Sequence, residues 1–127
     1  IPRMECYRNV DKGWGLWQVN ITETNEYIGW MLVRPMFFFT DKPEMDNLEL
    51  GWRFFQSTWG KGFATEAALH LIKHFRQSTK SFGAIADQNN IASISVMKKL
   101  GMKYIKTFTY KDPLLDAEVV YYEISVN

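Results

Sequence analysis

"LELGWRFFQSTWGKGFATEA", residues 48–67, contains the change of period that decides the fold. Its opening alternates: Glu49, Gly51 and Arg53 share one face of a strand, and Leu50, Trp52 and Phe54 share the other. From Ala64 the spacing becomes helical. Ala64, Ala67, Ala68, Leu71, Ile72 and Phe75 form an apolar stripe, and Thr65, Glu66, His70, Lys73 and Arg76 cover the opposite side. Between strand and helix, Gly60 and Gly62 flank Lys61, although glycine beside a helix carries an entropic cost. Two readings account for them: a plain turn, or a loop whose bare main chain lies against a ligand. In the second, the amides of residues 60–65 point outward at a helix N-terminus, where the macrodipole adds partial positive charge and suits a phosphate. Two named phosphate motifs fail here. "GKGF" lacks the hydroxyl residue of a Walker loop, and no third glycine completes G-x-G-x-x-G. Spacing alone leaves both readings standing.

Working outward, "GLWQVNIT" (15–22) and "YIGWMLVRP" (27–35) read as strands of a hairpin turning at Asn25–Glu26. "FFFTDKPEMDN" (37–47) reads as a loop, and "LELGWRFF" (48–55) as the third strand. "FGAIAD" (82–87) is a short buried strand. "NNIASISVMKKLG" (89–101) is a second helix, capped by Asn90, with Ala92, Val96 and Leu100 facing inward and Gly101 ending it. "KYIKTFTY" (103–110) and "EVVYYEISV" (118–126) are two further strands joined through "KDPLLDA" (111–117). The order ββ, β-loop-α, β-α, ββ predicts one mixed α/β (α+β) domain over residues 1–127.

The bulk composition narrows the function classes. With 127 residues, 46% of them apolar, and five Trp, nine Phe and six Tyr, the chain can bury a bulky core. Fifteen basic and fourteen acidic residues give a net charge of +1, so no nucleic-acid footprint is expected. The single Cys6 cannot form an internal disulfide and fits a reducing compartment. No apolar run reaches the roughly 20 residues of a membrane span, so the expectation is a soluble cytoplasmic domain with no membrane partner.

"LELGWRFFQSTWGKGFATEA" followed by "DQNNIASISVMKKLGM" (87–102) resembles the GNAT acyltransferases, and among them the Rim-like branch of ribosomal-protein N-terminal acetyltransferases. The family's Gln/Arg-x-x-Gly-x-Gly/Ala loop is matched at Trp59, Gly60, Lys61, Gly62, Phe63 and Ala64, with Trp first. Its Asn-x-x-Ser-x-x-Val-x-x-x-x-Gly motif is met by Asn90, Ser93, Val96 and Gly101. The resemblance covers about residues 15–126. It implies a GNAT fold, a mixed and mostly antiparallel sheet flanked by helices. It also implies acetyl-CoA as co-substrate, no metal, and a primary amine as acceptor, from a protein N-terminus or a small molecule. Relatives carry a further strand and helices ahead of what is residue 10 here, so an N-terminally truncated domain is expected, and its unburied Trp residues would favour a homodimer.

The resemblance places acetyl-CoA in a splay between strands 48–55 and 82–87. Its diphosphate would lie on residues 59–65, including Thr65, and its pantetheine amides would pair with main chain near Phe54. Asn90 would contact the arm, and Ser93 would lie near the sulfur. Met97 occupies the place of the tyrosine that protonates the thiolate in many relatives; the resemblance to the Rim-like branch, which uses the serine of the Asn-x-x-Ser motif instead, implies Ser93 as the acid. Ser93 has a plainer reading as a residue that only tidies the helix start. Glu49 and Asp112 are candidate bases, or else solvated surface acids, and water could serve instead. His70 and His74, with Glu66 in line, have metal-ligand spacing but read as a solvated helix face. Trp14, Trp17 and Trp30 read as core or as wall. A CoA-binding sensor without turnover is the alternative function.

Overall fold

A computed structural model describes residues 14–37, 42–112 and 115–126, and the side chains of residues 110–117 lie outside the described set. The described residues form a six-stranded sheet and two helices. The elements are β1 (Gly15–Asn20), β2 (Tyr27–Met36), β3 (Glu44–Phe54), α1 (Phe63–Phe75), β4 (Ser81–Asp87), α2 (Ile91–Lys99), β5 (Lys103–Asp112) and β6 (Leu115–Ser125). The spatial order is β1-β2-β3-β4-β6-β5, antiparallel except for β3 and β4. This is the mixed, mostly antiparallel sheet expected from the sequence.

The alternation in β3 holds. Leu48, Leu50 and Phe54 are buried in a core with Ala68, Leu71 and Phe75 of α1 and with Phe82, Ala84 and Ala86 of β4. Three details differ from the sequence reading. β3 begins at Glu44 rather than residue 48, because Asp46 and Asn47 are tied to the start of β4: Lys80 N–H donates to the Asp46 carbonyl at 3.0 Å, and Thr79 Oγ1 does so at 2.8 Å. β5 and β6 extend through Asp112 and from Leu115, so most of "KDPLLDA" is paired backbone rather than loop. On α2, Leu100 is buried as expected and half-buried Val96 packs against the core, but Ala92 is exposed and Met97 is buried in its stead. The hairpin turn lies where expected, with Asn25 in a left-handed conformation (φ 57°) that asparagine tolerates.

What matters for function is the seam between the two parallel strands. β3 and β4 pair over three positions only, Asn47↔Ser81, Leu48↔Phe82 and Glu49↔Gly83. Beyond Glu49 they diverge. Side chains fasten the closed end: Ser81 Oγ donates to Asn47 Oδ1 (2.9 Å), Asn47 Nδ2 to the Tyr121 hydroxyl (2.6 Å), and that hydroxyl to Glu123 Oε1 (2.9 Å). Tyr121 crosses β4 at Gly83, where a Cβ would sit 2.7 Å from its ring carbon Cε1, so only glycine lets the ring pass.

Burial first, and then the bond to Glu123, raises the pKa of the Tyr121 hydroxyl above the ordinary 10.0. A raised native pKa stabilises fully below the unfolded value and is lost as pH climbs through the native one. Stability should therefore fall from about pH 10 upward. Tyr121→Phe should cost about 1–2 kcal/mol at neutral pH, by leaving Asn47 and Glu123 short of a partner. It should also flatten the alkaline loss. Urea unfolding at pH 8 and pH 11 checks both, and an unchanged alkaline slope would remove Tyr121 from this account.

Candidate active site

Past the last pairing of β3 with β4 at Glu49 lies a cleft of about 730 Å³, lined on the sheet side by β3 and by no residue of β4. Its walls come from the end of β3, the loop into α1, the first turn of α1, and one face of α2.

The β3 wall offers main chain. Phe55 N–H donates to the Ile28 carbonyl at 3.0 Å, and Phe54 stands opposite Gly29. Bonding direction alternates along an antiparallel pair, so Phe54 and Trp52 turn their main-chain groups away from β2, toward the opening. The Phe54 carbonyl accepts from Trp59 Nε1 at 3.0 Å. The Phe54 N–H is left directed into the cleft.

The loop is braced and then bared. A short 3₁₀ turn at Gln56–Thr58 is closed by Thr58 Oγ1 on the Phe55 carbonyl (2.7 Å) and Trp59 N–H on the Gln56 carbonyl (3.1 Å). Gly60 (φ 77°) and Gly62 (φ 81°) follow, both left-handed, and a Cβ built on either meets no protein atom within 4 Å. Gly62 is the N-cap of α1 and supplies no side-chain bond. The first intrahelical bond runs from Glu66 N–H to the Gly62 carbonyl at 2.9 Å. The amides of Phe63, Ala64 and Thr65 therefore have no helical acceptor and stand at the positive end of the dipole, facing the cleft. The position where Ser, Thr or Asp would normally satisfy them is occupied by a residue that leaves them available.

On the facing wall, Asn90 Oδ1 accepts from the Ser93 N–H at 3.1 Å and caps α2. That use of the carboxamide oxygen leaves Nδ2 as a donor. The cap draws on the Ser93 amide, so the Ser93 hydroxyl has no part in it.

Of the sequence candidates, the cleft walls gather Phe54, Trp59, Gly60, Gly62, Phe63, Ala64, Thr65, Asn90 and Ser93. Lys61 belongs to the loop but is not on the wall. Glu49 is not there either: it is buried on the sheet face away from Phe54, and its Oε1 accepts from Arg34 Nε at 2.8 Å. The side chain of Asp112 lies outside the described residues. Met97, in the place of the family's tyrosine, is 1% exposed and packs in the core. His74 stacks edge-on against Trp17 at 5.7 Å, and Trp17 also meets Phe75 at 6.0 Å. Trp14 packs against the core, and Trp30 is half-buried opposite Arg53.

Sequence reasoning missed Ser95 and Lys99 on α2, and Arg53, Gln56 and Thr58 beside β3. It also turned Ala92 inward, when Ala92 is exposed on the cleft wall, and it did not show that Val96 lines the cleft as well as packing against the core. Their helical spacing with Lys99 (i, i+4, i+7) was the available signal.

The profile of the acetyltransferase (GNAT) domain matches residues 3–103. Among curated proteins, YkkB of Bacillus subtilis (strain 168), itself uncharacterized, is 33% identical over 105 residues, covering 76% of this chain and 56% of that protein. An Aspergillus fumigatus protein named FsC-acetyl coenzyme A-N(2)-transacetylase is 30% identical over 113 residues, covering 85% of this chain and 46% of that protein. The chain thus spans about half the length of these relatives. A GNAT-family acetyltransferase structure from Bacillus anthracis superimposes with a TM-score of 0.73 at 24% identity, covering 87% of this chain and 66% of that one. RimL, a ribosomal L7/L12 α-N-protein acetyltransferase solved with coenzyme A, gives a TM-score of 0.73 at 16% identity, covering 91% and 64%. The sheet order, the splay and the profile match agree: the chain belongs to the GNAT acetyltransferase domain family.

Proposed function

We propose that this domain transfers the acetyl group of acetyl-CoA to a primary amine, a protein α-amine or a small-molecule amine, by direct attack in a ternary complex. The observation that carries the reading is the uncapped start of α1, with Gly60 and Gly62 left-handed and open, facing Asn90 and Ser93 across one cleft. The loop amides bind the diphosphate. The Phe54 N–H pairs with the pantetheine arm as an added strand would. Trp59 in the loop's first position and the likeness to RimL support the Rim-like branch. The Aspergillus relative's name points the same way for acetyl-CoA and nitrogen acceptors.

The chemistry asks little of a base when the acceptor is an α-amine. A lysine-type amine with pKa near 10.4 costs about 4–5 kcal/mol to deprotonate at pH 7, whereas an α-amine near 7.7–8.0 costs about 1 kcal/mol. The neutral amine attacks the thioester carbon, the carbonyl oxygen gains charge, and the departing sulfur takes a proton. Main-chain donors on β3 suit the first need, and the Ser93 hydroxyl suits the second. Holding the amine against the thioester supplies most of the remaining rate. Glu49, tied to Arg34, is kept as a base only through an intervening water.

Calorimetry with acetyl-CoA and with pantetheine tests binding, and acetyl-CoA is expected to bind far more tightly. Equal, negligible heats for the two would end the reading. Thiol release against a panel of amines and N-terminal peptides tests turnover, and tight binding with no release for any acceptor would favour a sensor.

A further inference from the structure

Charge on the cleft walls extends beyond the glycine loop. Among the described residues, the charged side chains there are Arg53 of β3 and Lys99 of α2, and no carboxylate stands with them. Ser95 lines the same wall one turn before Lys99. Residues at i and i+4 are neighbours on a helix, with Cβ atoms about 5–6 Å apart. A helical lysine leans toward the N-terminus, so its stem runs over the Ser95 position. Ser95 and Lys99 thus line one stretch of the wall, while Lys98, exposed on the preceding helix position, is off it.

This patch has no role in holding a diphosphate, which the amides of Phe63–Thr65 already serve. Coenzyme A carries a second anionic group, a phosphate monoester on its ribose. Such a group bears a charge of about −1.5 to −2 at pH 7 and three acceptor oxygens. We propose that Ser95 and Lys99 receive this ribose phosphate, making the cleft selective for CoA over dephospho-CoA. The proposal rests on the coenzyme reading of the cleft. Arg53 is less suited. It rises from β3 on the Glu49–Gly51 side of the strand, beside the edge that the pantetheine arm follows, and it has no hydroxyl one turn away.

The test is calorimetric titration of CoA and dephospho-CoA into the wild-type chain and into Lys99→Gln, Ser95→Ala, Lys98→Gln and Arg53→Gln. The wild type is expected to prefer CoA about tenfold, the value of one charge-assisted contact at a partly exposed site. Lys99→Gln should bring the ratio within about twofold while leaving dephospho-CoA affinity unchanged, and Ser95→Ala should lower it part of the way. Lys98→Gln should keep the full ratio, which separates a local contact from general positive charge. Added salt should shrink the wild-type ratio. A wild-type ratio near one, a ratio that survives Lys99→Gln, or one lost in Arg53→Gln instead would overturn the proposal and leave the cleft assignment intact. Absence of binding by either ligand would overturn the coenzyme reading itself.

Discussion

Gly62→Val is expected to weaken CoA binding about a hundredfold or more, a loss of about 2.8 kcal/mol. Two effects combine. Gly62 sits at φ 81° and ψ 4°, a conformation that costs an L-residue roughly 1–2 kcal/mol and a β-branched one more. The backbone therefore either keeps its shape under strain or rotates, carrying the amides of residues 63–65 off their line. If it keeps its shape, the new side chain enters the space beside the amides that no protein atom occupies. That emptiness makes the experiment informative, because the added Cβ has nothing in the protein beyond its chain neighbours to collide with. A residue serving only as a turn would lose stability, seen as a lower Tm, while the folded fraction bound CoA normally. A residue clearing space for a diphosphate loses binding in protein that still melts cooperatively. Calorimetry beside a thermal melt separates the two, and unchanged affinity in a folded variant would dismiss the loop assignment. Gly62→Ala, with one carbon in place of three, should fall between.

The same residues show what could be read from sequence and what could not. The strand at Leu48–Phe54 and the helix stripe from Ala64 to Phe75 were legible because burial by protein imposes a strict period, two in one and 3.6 in the other. The face of α2 was misread for the opposite reason. Ala92 looks like core because it is small and apolar at helical spacing with Val96, but it is exposed on the cleft wall, while Val96 meets both the cleft and the core in which Met97 and Leu100 are buried. A one-dimensional pattern records that a face avoids water and not whether protein or ligand covers it. The splay was equally hidden from periodicity. Its closed end depends on Asn47 meeting Tyr121, 74 residues away, and on Gly83 making room for the ring. The resemblance supplied the splay and the loop's role, while the residues themselves supplied only the elements. Glu49 illustrates the remaining gap: alternation gave its face correctly, but nothing in the sequence gave Arg34 as its partner.

Ser93→Ala is expected to lower kcat about a hundredfold, the lower end of what a positioned general acid contributes, with acetyl-CoA affinity within about twofold of wild type. The structure makes this a clean substitution. The bond that caps α2 runs from the Ser93 backbone amide to Asn90 Oδ1, and alanine retains that amide. A serine acting only on the helix start would thus leave both stability and rate nearly unchanged when truncated. Ser93 is half-buried on the cleft wall, so removing its hydroxyl also leaves no buried polar partner stranded. The effect should depend on the leaving group. Expulsion of a less basic thiolate needs less help from an acid, so an acetyl thioester of a more acidic thiol, carried on the same nucleotide handle, should narrow the gap between variant and wild type. Loss of rate that is equal for both thioesters would assign Ser93 to positioning rather than proton transfer. Retention of full kcat with CoA itself would remove it from the chemistry and leave water as the proton source.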